Sequence, residues 1–151
     1  NEETPRIIDP RNAFIMYDLL KEVIKNGTAR KAKALKRPDF AGKTGTTNDL
    51  MDAWFAGFNS DIVTVTWMGY DQPKSLGNKE TGSRAALPIW IDYMRPLLKD
   101  YPIKNLVKPE GIIPYKINKK TGMTNNADEN GFYEYFYEEY PPFDNSYFVI
   151  N

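Results

Sequence analysis

Hydrophobic positions along the chain follow two different periods. From Pro10 to about residue 26, Ala13, Met16, Leu20, Val23 and Ile24 recur at the three-to-four spacing of an amphipathic helix. Asp9 precedes Pro10, and this pair suits a helix start. The Asp side chain accepts from the first free N–H groups, and Pro lacks only an N–H that would have no intrahelical partner. Asn26-Gly27 is a stop signal. Residues 28–37 are polar and basic and read as a turn or short helix.

The period then shortens to two. Strands are expected at about 39–47, 53–58 and 62–70; in the third, Val63, Val65 and Trp67 alternate with Thr64, Thr66 and Met68. The connectors, Asn48-Asp49 and Asn59-Ser60-Asp61, are short and polar, which favours antiparallel hairpins over crossovers. Residues 71–84 read as a loop from their Pro, Gly, Asn and Ser content. Helical spacing returns at about 85–98 with Leu87, Trp90, Ile91, Met94 and Leu98, and Pro88 either kinks the first turns or marks the true start. Residues 111–118 suit one more strand and Lys120-Thr121-Gly122 a turn. The pattern predicts an α+β layout: helix, three-stranded meander, helix, irregular tail.

Composition narrows the chemistry. The 151 residues suit one domain and include neither cysteine nor histidine. Disulfides, thiol nucleophiles, Ser-His-Asp arrangements and Cys or His metal sites are therefore excluded. Acid–base work falls to Lys, Asp, Glu or Tyr. No apolar run approaches the roughly 20 residues that span a bilayer. Charge is balanced overall, but residues 121–151 carry six of the 20 acids and none of the 20 bases. That acidic, aromatic stretch, with Phe-Tyr-Glu-Tyr-Phe-Tyr at 132–137, divides the chain into 1–122 and a C-terminal extension at 123–151. Its aromatics are expected to pack on the domain surface. Basic residues are densest at Arg30, Lys31, Lys33, Lys36 and Arg37. A nucleic-acid reading of that run competes with a solvated surface turn, and the turn is favoured because no aromatics are interleaved.

The most informative run is Ala41-Gly42-Lys43-Thr44-Gly45-Thr46-Thr47. A phosphate-loop reading fails, because that motif needs glycine where Arg37 stands and a helix where strand pattern continues. As a strand, the run puts Lys43 and Gly45 on one face and Thr44 and Thr46 on the other. A cation, hydroxyls and an open strand edge together describe a site for a peptide ending in a carboxylate. An ordinary strand with a surface lysine fits the motif alone equally well.

In wider context the run resembles the C-terminal part of the transpeptidase domain of class A penicillin-binding proteins. The resemblance rests on Lys43 to Asp49, Asp52-Ala53-Trp54-Phe55-Ala56-Gly57-Phe58, Val65 to Asp71, and Gly82-Ser83-Arg84-Ala85-Ala86-Leu87-Pro88-Ile89-Trp90. Asn26-Gly27-Thr28-Ala29 resembles the family's Gly-Thr-Gly turn, with Ala29 a departure. Pro109 to Ile112 and Asn118 to Gly122 are also similar; residues 7–122 match well and the tail loosely. The resemblance implies a fragment of the serine transpeptidase/β-lactamase-like fold from a bifunctional peptidoglycan synthase. Its DD-transpeptidase cross-links stem peptides through a serine acyl-enzyme that β-lactams also form.

Two of that family's three site motifs, Ser-x-x-Lys and Ser-x-Asn, do not occur around Ser60, Ser75, Ser83 or Ser146. The chain is therefore expected to be a fragment with no nucleophile, inactive alone, missing the glycosyltransferase domain and membrane anchor. Carried over by motif, Lys43 supports the serine–lysine proton relay and binds anionic substrate. Thr44 and Thr46 hold the carboxylate, Gly45 keeps the strand approachable, and the Thr46 N–H supplies half of an oxyanion hole. Trp54 and Phe55 are expected to pack behind the site. The implied partners are a stem peptide or β-lactam and the N-terminal remainder of the domain, with no nucleic acid, metal or cofactor. The implied location is the periplasmic face of the bacterial inner membrane. Two rivals remain: a non-catalytic peptide- or carboxylate-binding module, and a nucleic-acid binder through residues 30–37. A lone fragment is also expected to associate with its missing piece or with itself, since unpaired strand edges find partners.

Overall fold

The computed structural model of the chain describes residues 5–124 and 130–142. The 123–151 extension thus lies partly outside the described residues, as does Ser146. The fold is mixed helix and antiparallel sheet, and the chain divides into two compact units. One is Met16–Leu106; the other joins Asn1–Ile15 to Val107–Asn151.

Helix α1 spans Pro10–Lys25. Asp9 caps it, its Oδ1 accepting from the N–H of Arg11 (2.9 Å) and Asn12 (3.4 Å). The chain leaves the helix through Asn26 and Gly27, whose N–H groups both donate to the Glu22 carbonyl. The buried stripe is Phe14, Tyr17 and Ile24, whereas Met16, expected on the apolar face, is 48% exposed. Ile24 and Val23 of the expected stripe join or pack on the core, but in the first half of the helix the aromatics at 14 and 17 take the buried positions in place of Ala13 and Met16.

In the Met16–Leu106 unit, three strands form an antiparallel meander: β1 (Ala41–Thr46), β2 (Ala53–Phe58) and β3 (Val63–Met68), in that order. Each is shorter than or equal to its expected range. Asn59 shapes the β2–β3 hairpin, its Oδ1 accepting from the N–H of Asp61 and Ile62. The basic run forms a 3-10 turn over Arg30–Leu35. A π-helical turn (Gly82–Ala86) lies where a loop was expected and opens into helix α2 (Leu87–Leu97), which starts slightly later than expected, with Pro88 in its first turn marking the start.

The register decides which sheet face is buried. Gly42↔Gly57, Thr44↔Phe55 and Thr46↔Ala53 share one face, continued on β3 by Thr64 and Thr66. On that face Phe55, Leu87, Trp90 and Met94 are fully buried. Trp90 meets Phe40 and Phe55 edge-on at 5.3 and 4.9 Å between ring centroids. Gly57 makes this possible, because a Cβ there would overlap the Trp90 ring. The Trp90 Nε1–H is buried without a partner, a cost of about 1–3 kcal/mol that the ring's packing outweighs.

The opposite face carries Lys43–Ala56–Val65 and Gly45–Trp54–Trp67 in rows across the sheet. Val63, Val65 and Trp67 are exposed there. Trp54, expected to pack behind the site, lies on this face at 42% exposure, with Trp67 6.0 Å away between ring centroids. Adjacent strand residues point oppositely, so only Phe55 of that pair reaches the core.

In the second unit, β4 (Ile112–Ile117) pairs antiparallel with β5 (Phe132–Tyr137). The aromatic run expected to be irregular is therefore a strand. Tyr135 packs edge-on against Phe14 at 5.0 Å. The Arg11 guanidinium lies 4.8 Å from the centre of the Tyr137 ring, and its Nη1 bonds Glu139 at 2.7 Å.

Candidate functional site

Strand β1 is an edge strand, and its ladder fixes which backbone groups it offers. The Thr47 N–H donates to the Asp52 carbonyl at 3.1 Å, one step beyond the Thr46↔Ala53 pair. Hydrogen-bonded and non-bonded pairs alternate in an antiparallel ladder. Gly45↔Trp54 and Lys43↔Ala56 are therefore bonded pairs. It follows that Thr44 and Thr46 turn their N–H and C=O groups away from β2, toward the open edge.

Side chains gather at the same edge. The Lys43 ammonium donates to the outward Thr44 carbonyl at 2.9 Å, so the cation curls round from its own face to the strand edge. The Thr44 hydroxyl bonds the Thr28 hydroxyl at 2.8 Å. The Gly82 N–H donates to Thr46 Oγ1 at 3.1 Å. Because that oxygen accepts, its own O–H remains a donor. The edge thus combines an ammonium, an outward N–H and a hydroxyl primed to donate, which is donor chemistry suited to an anionic or carbonyl-bearing extended chain.

Gly82 allows the close approach of its turn to β1 and β2. A Cβ on Gly82 would overlap the Trp54 carbonyl oxygen and lie 2.5 Å from that of Gly45. At the strand's far end, Asp52 organises the turn: its N–H donates to Thr47 Oγ1 at 2.8 Å, and its Oδ1 accepts from Trp67 Nε1 at 2.9 Å.

The start of β1 is anchored by a buried charge. Asp39 is 0% exposed; it takes two bonds from Arg37, Nε to Oδ1 at 2.8 Å and Nη2 to Oδ2 at 2.6 Å. Oδ2 also accepts from Asn59 Nδ2 and the Lys104 N–H. Burial alone would push the Asp39 carboxyl up, but the bonds from Arg37, Asn59 and Lys104 outweigh it and hold it below the ordinary range. Arg37 also reaches the carbonyls of Tyr101 and Pro102, so one guanidinium ties β1 to the segment after α2. The Tyr17 hydroxyl donates to the Asp39 carbonyl at 2.6 Å, and burial, with the Asp39 charge, pushes this phenol up to about 12.

All four residues singled out from the sequence thus lie on β1. Lys43, Thr44 and Thr46 direct polar groups to its open edge, with Gly45 between them. Thr28 and Gly82 complete the surroundings; both stood in motifs whose contacts no local pattern reveals. Ala29 has φ −102°, a conformation that needs no glycine. Among the described residues, no group of three or more acidic side chains could hold a metal ion, and no helix is long and apolar enough to cross a membrane.

No protein-family model matches the chain. Curated relatives do. The chain is 51% identical over 144 residues to penicillin-binding protein 1A of Pseudomonas aeruginosa, a match covering 93% of this chain and 18% of that protein. It is 53% identical over 112 residues to penicillin-binding protein 1A of Neisseria lactamica, covering 74% of this chain and 14% of that one. The chain thus spans less than a fifth of the length of these relatives. Among solved structures, it resembles penicillin-binding protein 1A from Haemophilus influenzae with a TM-score of 0.85 and 36% identity, over 94% of this chain and 22% of that one.

Proposed function

Because this chain belongs to the class A penicillin-binding protein family and carries a fragment of the transpeptidase fold, we propose that it forms one wall of a serine DD-transpeptidase site. The observation that carries the reading is the open edge of β1, where the outward N–H of Thr46, its hydroxyl and the Lys43 ammonium converge.

In this reading an extended stem peptide, or a β-lactam in its place, lies along β1. Its carboxylate meets the Thr44 and Thr46 hydroxyls and the Lys43 cation. The Thr46 N–H donates to the oxygen that gains charge as the acyl carbon becomes tetrahedral, and such a donor lowers the barrier by roughly 3 kcal/mol. Lys43 holds a positive charge beside the serine–lysine pair that takes and returns the proton. That pair, the other oxyanion donor and the glycosyltransferase and membrane anchor of the synthase belong to the remainder of the protein. So does the assignment to the periplasmic face of the inner membrane.

The test is covalent labelling. Incubated with a fluorescent penicillin and run on a denaturing gel, the chain alone is expected to stay unlabelled, while the complete protein is labelled on a serine outside this segment. A label on the isolated chain would sink the division of labour proposed here.

A further inference from the structure

The basic run at residues 30–37 does not lie flat on the surface. With the second half of α1 it lines an open cavity of about 550 Å3, a size suited to a compact ligand. Lys33 and Lys36 come from the run, and Lys21 and Lys25 join them from α1; Ile24, Pro38 and Phe40 supply apolar lining. The cavity also contains Asp18, Glu22 and Arg37. Glu22 is bonded to Lys25 at 2.8 Å and to Asn26 at 2.6 Å, and Arg37 is committed to Asp39. Lys21, Lys33 and Lys36 line the cavity with Asp18, and the Lys21 ammonium, beside Asp18, also lies 5.6 Å from the centre of the Tyr17 ring. Arg30 and Lys31, in the same run, do not line it.

We propose that this cavity binds a compact, multiply charged phosphate. The lining cations that make no ion pair among the described residues are ammoniums, which act as point charges with three donors each, while the one guanidinium fork is spent on Asp39. A planar carboxylate favours a fork; a tetrahedral group with several charges suits ammoniums supplied by two elements. Such a group could come from a soluble phosphate or from a phospholipid headgroup.

The test is titration of the full chain with inorganic tripolyphosphate at about 0.15 M salt, where bulk attraction is screened. Saturable binding is expected. Lys21→Gln with Lys33→Gln should weaken it by about tenfold or more, because each removes a charge-assisted contact. Arg30→Gln with Lys31→Gln, the same charge change outside the cavity, should weaken it less than about twofold. Near-ultraviolet circular dichroism checks that both variants keep the fold. Vesicles of anionic phospholipid distinguish the sources: binding that tripolyphosphate displaces assigns a headgroup, and vesicles left unbound assign a soluble phosphate. Equal weakening by the two pairs would mean diffuse attraction, as for a nucleic-acid backbone, and would overturn the proposal. So would the absence of saturable binding.

Discussion

Arg37→Met is expected to destabilise the chain by about 3–5 kcal/mol at neutral pH, measured by urea denaturation. The value follows from what the substitution leaves behind. Methionine fills much of the space of the arginine stem, so the packing loss is small. Asp39 stays fully buried, with only the Asn59 amide and the Lys104 N–H to hold its charge. Removing one partner of a buried pair costs far more than the pair contributes, because the remaining charge has no water to return to. The bonds to the Tyr101 and Pro102 carbonyls go as well, loosening the segment after α2.

The same substitution carries a pH signature. In the wild type the Asp39 carboxyl is held below its ordinary value, so its stabilising contribution is present above the ordinary carboxylate range and is lost as pH falls through the depressed value. In the variant, burial is no longer outweighed by the guanidinium and the carboxyl titrates higher. It then destabilises at neutral pH and ceases to do so once protonated. The gap between the two proteins should therefore begin to shrink above about pH 4, as the variant's raised carboxyl takes up its proton, and go on shrinking below about 4 as the wild type loses its contribution. A gap constant from neutral pH down to about 3 would show that the charge is not the cause.

The buried network was not legible in the sequence. Arg37 read as the end of a basic surface run, and nothing in Arg37-Pro38-Asp39 announces that the carboxylate turns inward to meet Asn59 from a hairpin twenty residues on. By contrast, α1, the meander and most of α2 followed from period and caps, because each buries one stripe or face and that repeats in the residue order. Strand β5 escaped, since aromatics on both of its faces mask the period of two. The candidate site was half legible. Alternation gave the faces of Lys43 and Thr44 correctly, and the motif named the strand. That Thr44 and Thr46 turn their backbone outward depends on the phase of the β1–β2 ladder, set by Thr47 and Asp52 beyond the motif. The apposition of Gly82 is a long-range contact that no local pattern encodes.

That apposition supports the second large effect. Gly82→Ala is expected to cost about 3 kcal/mol, the upper end of what overpacking a close contact produces. The added methyl would meet backbone, the carbonyls of Trp54 and Gly45, and backbone in a sheet cannot rotate aside as a side chain can. The π-helical turn must lift from β1, which takes the Gly82 N–H off Thr46 Oγ1. Gly122→Ala is the control: φ there is +71° but no atom of the described residues lies within 4 Å of an added Cβ, so only left-handed strain of about 1 kcal/mol is expected. Chemical denaturation of the two variants side by side separates crowding from strain, and equal losses would show that the Gly82 contact is not tight. In the complete protein, Gly82→Ala should also slow acylation by fluorescent penicillin, because Thr46 loses the N–H that leaves its hydroxyl free to donate. Gly122→Ala should leave that rate unchanged.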